Sequence, residues 1–145
     1  METIIAVNKG SRTTLPLCRQ VNIKMQRVLV VDDDEVIRDI LSTMLMTIGF
    51  GVDVASRGDE GLKLFRKNLF DLVVTDLKMP GMDGWTLSYY IKDEAPDTPV
   101  ILITGLTWEH VKGKLKNSCV DAVMFKPFGF TELKSTVQGL LSRKH

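Results

Sequence analysis

Five residues in this sequence combine a chemical capability with a suggestive position. Asp32 and Asp33 follow the apolar run 28–31, Asp76 comes shortly after residues 72–74, Thr104 follows residues 100–103, and Lys126 follows residues 122–125 and precedes Pro127. If those runs end side by side, three carboxylates, one hydroxyl and one ammonium share a small volume. Crowded carboxylates repel one another unless a cation intervenes, and hard oxygen ligands suit Mg²⁺. Phosphoryl transfer needs an oxygen nucleophile, positive charge near the phosphoryl oxygens and accurate placement, with little other chemistry asked of the protein. Asp76 would be the nucleophile, forming an acyl phosphate. Lys126 would neutralise one phosphoryl oxygen, and Thr104 would donate a hydrogen bond to another.

The elements that must position these residues can be read from the same chain. Residues 28–31, 72–74 and 100–103 are short apolar runs rich in β-branched side chains, as strands buried on both faces require. Residues 51–54 and 122–125 read as two further, shorter strands. Between the runs the spacing turns helical: Val36, Ile37, Ile40, Leu41, Met44, Leu45 and Ile48 cover one wide face before Gly49, with Asp34 as the helix cap. Ser56, Asp59 and Glu60 predict a capped start for a second helix carrying Leu62, Leu64 and Phe65. A third helix is expected over 84–91, a fourth over 107–117, and a fifth over 130–141, where Leu133, Val137, Leu140 and Leu141 share a face. Five repeats of strand then helix imply right-handed crossovers and an α/β, doubly wound parallel sheet. Ligands of such sheets bind beyond the carboxyl ends of the strands, and all five polar residues fall there.

Four blocks, in order, carry a resemblance. They are Val-Leu-Val-Val-Asp-Asp-Asp at 28–34, Thr-Asp-Leu-Lys-Met-Pro-Gly-Met-Asp-Gly at 75–84, Val-Ile-Leu-Ile-Thr at 100–104 and Phe-Lys-Pro-Phe at 125–128. Together they resemble the receiver domains of two-component response regulators, single-domain chemotaxis regulators among them, over nearly everything from residue 27 onward. The resemblance implies a flavodoxin-like sheet of five strands in the order 2-1-3-4-5 with five helices. It implies that Asp76 is the phosphoacceptor, that Asp32, Asp33, Asp76 and the backbone carbonyl of Lys78 bind Mg²⁺, and that Thr104 and Lys126 are the switch hydroxyl and the phosphate-binding lysine. It also implies a cis Lys126–Pro127 bond and a phosphohistidine donor on a sensor histidine kinase or a histidine phosphotransfer protein. The expected function is a stand-alone phosphorylation-controlled switch that assists its own phosphorylation and dephosphorylation, and signals by partner binding or onward phosphotransfer.

Two positions depart from the family pattern. Three residues before the lysine the family usually has Tyr or Phe, and here stands Val123; Gly105 follows Thr104 where Ala is common. The usual aromatic relay is therefore missing. Residues 79–84 read as a turn built on Pro-Gly and Asp-Gly. Lys112, Lys114 and Lys116 read as a solvated helix face, with docking of an acidic partner as the alternative. Trp85, Tyr89, Tyr90 and Trp108 read as partly buried packing residues, Trp108 alternatively as an exposed anchor. His110 has no evident place in the chemistry.

Bulk properties narrow the alternatives. The 145 residues carry a formal charge of +1, which hides a basic segment over residues 1–26 and a mildly acidic body. Such a body offers no concentrated positive face, so nucleic-acid binding is not expected. Cys18 and Cys119 belong to no metal or disulfide pattern, and no apolar run approaches the ~18 residues of a membrane span. With no secretory signal pattern, a cytoplasmic location is expected. Residues 1–26 show no sustained period and read as a poorly ordered extension to a receiver domain over 27–145, with too few residues after the fifth helix for an output domain. A competing function is a Mg²⁺-dependent phosphohydrolase or phosphotransferase using the same Asp nucleophile. A flavin-binding protein is disfavoured, because the first strand-helix loop is acidic where a phosphate cradle needs Gly, Ser or Thr.

Overall fold

The computed structural model describes residues 24–143. Each apolar run forms a strand and each helical spacing a helix, in the order β1 (Arg27–Val31), α1 (Glu35–Ile48), β2 (Gly51–Ala55), α2 (Gly58–Lys67), β3 (Leu72–Asp76), α3 (Gly84–Glu94), β4 (Val100–Thr104), α4 (Trp108–Leu115), β5 (Ala122–Phe125) and α5 (Phe130–Ser142). All pairings are parallel, and the strands lie in the order β2-β1-β3-β4-β5. This is the expected flavodoxin-like architecture. The sequence order explains which strands are central: β3 and β4 are buried throughout, as are residues 28–31 of β1, whereas the edge strands β2 and β5 are mostly half-buried.

Two apolar layers clamp the sheet. On one face Val28, Val30, Val74 and Ile101 pack against Leu41 and Leu45 of α1 and Leu133 and Val137 of α5. On the other, Leu29, Val31 and Val73 pack against Leu62 of α2 and Leu87 and Ile91 of α3. Alternate strand residues point to opposite faces, so a continuous apolar run feeds both layers at once. A third, smaller cluster lies near the carboxyl end of β4, where Leu77, Leu102 and Val111 gather Trp85, Leu106, Val123 and Phe125.

Local signals place the boundaries. Asp34 caps α1 as expected, its side chain accepting from the Val36 N–H, and Gly49 ends the helix at φ 122°. At α2 the expected Ser56 cap is replaced: the N-cap is Arg57, and the Ser56 N–H and hydroxyl both donate to Glu60. Glu60 therefore reaches past the N-cap to the residue before it, and no capping box forms. Helix α3 runs to Glu94, past the expected end at 91, because its last turn is polar and exposed and shows no apolar period; Pro96 follows its cap. Helix α4 is a little shorter than expected at both ends. Tyr89 and Tyr90 are exposed and Trp108 is half open to solvent, so they are not the packing residues expected from their hydrophobicity; Trp85 is half-buried.

The helices return antiparallel to the strands, so the described chain enters and leaves at the same end of the sheet. Lys24, Met25, Leu141 and Ser142 share one cavity there with Ile48 and Phe50. The opposite end carries the five polar residues. Most of the expected extension over residues 1–26 lies outside the described residues.

Candidate functional site

The parallel register brings the strand ends level. Val31 pairs with Thr75, Asp76 with Ile103, and Thr104 with Phe125, so Asp32, Asp76, Thr104 and Lys126 emerge at one edge. The edge is tied by backbone bonds just past the strands, from Leu77 N–H to Ile103 O at 2.9 Å and from Lys126 N–H to Thr104 O at 2.8 Å. The Lys126–Pro127 bond is cis. Beneath Asp76 the backbone is packed to its limit: a Cβ on Gly84 would lie 2.3 Å from the Asp76 carbonyl oxygen, and the Gly84 N–H donates to Leu77 O at 2.8 Å. Helix α3 can therefore start directly against β3.

The structure brings Asp32, Asp33 and Asp76 together, with one carboxylate oxygen of each within 4.8 Å of the others. Asp32 and Asp76 are buried and Asp33 is exposed. Lys126 bridges the two buried acids, its Nζ 3.1 Å from Asp76 Oδ1 and 3.5 Å from Asp32 Oδ2. Thr104 is buried, and its hydroxyl oxygen accepts from the Leu106 N–H at 3.0 Å. Lys78 is exposed on the loop after β3, two residues beyond Asp76. His110 stays outside, its Nδ1 2.8 Å from the Thr107 hydroxyl.

The charges at this edge are not balanced by the protein alone. Burial pushes the Asp32 carboxyl up; the Asp34 N–H and Lys126 oppose this, and the charges of Asp76 and Asp33 add to it. Burial also raises Asp76, against the hydrogen bond and charge of Lys126 and the Leu77 N–H. Burial alone would lower Lys126, but its bond to Asp76 and the charges of both acids prevail, and its ammonium is held above its ordinary value. Asp32 Oδ2 is buried without a hydrogen-bond partner among the described residues. A buried carboxylate oxygen without a hydrogen bond is costly, and the three carboxylates that converge here, that of Asp32 among them, are the donor set of a hard cation. The residues therefore fit Mg²⁺.

Two contributors were not anticipated. Arg38 of α1 donates from Nη1 to the Asp32 carbonyl oxygen at 2.8 Å, and Leu106 supplies the N–H that holds the Thr104 hydroxyl. Neither has a sequence signature, because both act on positions made adjacent by a turn.

The family of response regulator receiver domains matches residues 28–138, and the chain belongs to that family. Among curated relatives, the probable transcriptional regulator ycf27 of Cyanidium caldarium is 36% identical over 124 residues, which are 84% of this chain and 49% of that protein. The transcriptional regulatory protein PcoR of Escherichia coli is 32% identical over 121 residues, 82% of this chain and 53% of the relative. Among solved structures, the response regulator TrrA of Thermotoga maritima, in complex with Mg²⁺–BeF, is 37% identical with a TM-score of 0.74 over 80% of this chain and 99% of that one. The chain spans about half the length of the curated relatives it matches. Their names, as transcriptional regulators, run against the expectation of no nucleic-acid binding where the whole relatives are concerned. Among the described residues no helix is long and apolar enough to cross a membrane.

Proposed function

We propose that this chain is a switch that accepts a phosphoryl group on Asp76 from a phosphohistidine and transmits the change by partner binding or onward phosphotransfer. The observation that carries this reading is Lys126 suspended between buried Asp76 and Asp32, where Asp32 Oδ2 has the lysine ion pair at 3.5 Å but no hydrogen-bond partner among the described residues. A carboxylate oxygen of Asp76 forms the new O–P bond as the P–N bond to the donor imidazole breaks, and the imidazole takes up a proton. Lys126 keeps the nucleophile ionised before the transfer and offers its ammonium to a phosphoryl oxygen afterwards. Mg²⁺ held by Asp32, Asp33, Asp76 and the Lys78 carbonyl would supply the remaining positive charge. The relative solved with Mg²⁺–BeF supports the same assignment by analogy.

Thr104 connects the chemistry to the rest of the fold. Its hydroxyl accepts from the Leu106 N–H, and Leu106, like Trp85, Val123 and Phe125, packs against the cluster of Leu77, Leu102 and Val111. A hydroxyl turned towards a phosphoryl oxygen changes the hold on that N–H, and the β4–α4 loop moves with it. With Val123 in the place of the usual aromatic, Leu106 and Trp85 carry the report in this reading.

Incubation with acetyl phosphate and MgCl₂, followed by intact-mass measurement, tests the acceptor. Wild type should gain one phosphoryl group that chelation of Mg²⁺ prevents, and Asp76→Asn should gain none. Labelling that survives Asp76→Asn unchanged defeats the assignment. Sustained turnover of an added phosphate ester would instead identify a phosphohydrolase.

A further inference from the structure

The turn after β1 contains a contact that the phosphorylation chemistry does not use. Arg38 donates to the carbonyl of Asp32, and that carbonyl belongs to the planar peptide joining Asp32 to Asp33. Its direction sets how the two carboxylates leave the backbone. Asp32 has other anchors: its N–H donates to Ala55 O at 3.1 Å, and its Oδ1 accepts from the Asp34 N–H at 2.8 Å. Asp33 is exposed, and among the described residues its carboxylate makes no hydrogen bond or ion pair. Its orientation rests on the backbone alone.

Arg38 is half-buried on α1, the helix that follows Asp32, Asp33 and Asp34, yet among the described residues it pairs with no carboxylate. Its bond to this turn falls on a neutral carbonyl, which braces the peptide without neutralising a ligand. We propose that Arg38 is a positioning residue for the cation site, fixing the Asp32–Asp33 peptide so that both carboxylates face the ion. The proposal rests on the reading of Asp32, Asp33 and Asp76 as Mg²⁺ ligands.

Two effects of removing Arg38 have opposite signs, which makes the proposal testable. As a positive charge near the acids, Arg38 opposes an incoming cation, so its loss should tighten Mg²⁺ binding. As a brace, its loss frees the peptide and weakens binding, and partners that orient metal ligands are typically worth about 10–100-fold in affinity. Bracing is the larger effect here, because the charge acts through a water-exposed rim.

Calorimetric titration with MgCl₂ would compare wild type, Arg38→Met, which keeps the aliphatic stem, Arg38→Lys, which keeps charge and a donor, and Asp33→Asn. Arg38→Met should raise the Mg²⁺ Kd about tenfold, Arg38→Lys should recover part of that loss, and their melting temperatures in EDTA should stay close to wild type. If Arg38→Met loses its cooperative melt, Arg38→Gln serves the same comparison. An equal or lower Kd without the guanidinium, or a Lys variant no tighter than the Met one, overturns the positioning role while the cation site stands. Wild type that takes up no Mg²⁺, or Asp33→Asn that binds as tightly as wild type, overturns the site reading and the proposal with it.

Discussion

Lys126 offsets part of the negative charge at the acidic edge, and its removal should separate metal binding from phosphoryl transfer. Lys126→Met takes an ammonium away from two buried acids, so Mg²⁺ binding should persist or tighten, whereas labelling by acetyl phosphate should slow by about 100-fold, the scale of losing one preorganised charge at a reacting oxygen. Metal titration and a labelling time course on the same variant would check both. The five polar positions that the structure brings to one edge were legible in the sequence because they follow the apolar runs, and parallel strands must end together. Arg38 and the Leu106 N–H were not legible, since a bond to a backbone carbonyl or from a backbone amide leaves no demand on residue type at the other end.

Among the elements, the β3–α3 junction is the least forgiving. Gly84→Ala would force a methyl group against the Asp76 carbonyl and Leu102, and should cost about 1–3 kcal/mol of stability and also displace Asp76, visible as a lower denaturation midpoint with slower labelling by acetyl phosphate. Leu102→Ala, in a fully buried strand, should cost about 2–5 kcal/mol by opening a cavity, with less effect on metal affinity. Helix α3 also shows where hydrophobicity misleads. Gly84, Leu87, Ser88 and Ile91 recur at helical spacing and form its buried stripe, which leaves Tyr89 and Tyr90 outside it despite their rings. Helical phase, rather than residue type, decides which side chains of α3 are buried. The start of α2 differs for another reason: Ser56 lies one residue before the cap, within reach of Glu60 but too early to accept from the first turn.

For the molecule as a whole, the site makes stability depend on pH and on Mg²⁺. Asp32 and Asp76 are held above the ordinary carboxylate range, so the folded state binds more protons than the unfolded one just above that range. Their effect is to lower stability as pH rises through that window. Lys126, also raised, contributes stability that is present below the ordinary lysine value and is lost only as pH climbs through its raised one. Asp59 and Glu94, lowered by Arg57 and Arg66, are exposed, and their small contributions vanish only in stronger acid. Metal-free protein should accordingly lose melting temperature as pH rises above the ordinary carboxylate range, and MgCl₂ should remove or reverse the trend. Calorimetric scans with and without EDTA would measure this, and a flat metal-free profile would contradict the assigned burial of the two acids.

The placement of the chain's described ends has a consequence for how this unit can be used. Lys24 and Ser142 line the same cavity at the far end of the sheet from Asp76, so the described chain begins and ends at two nearby points away from the acidic edge. Residues 24–143 thus have the geometry of a cassette: spliced into a surface loop of an unrelated host, they should keep Asp76 facing away from the points of attachment.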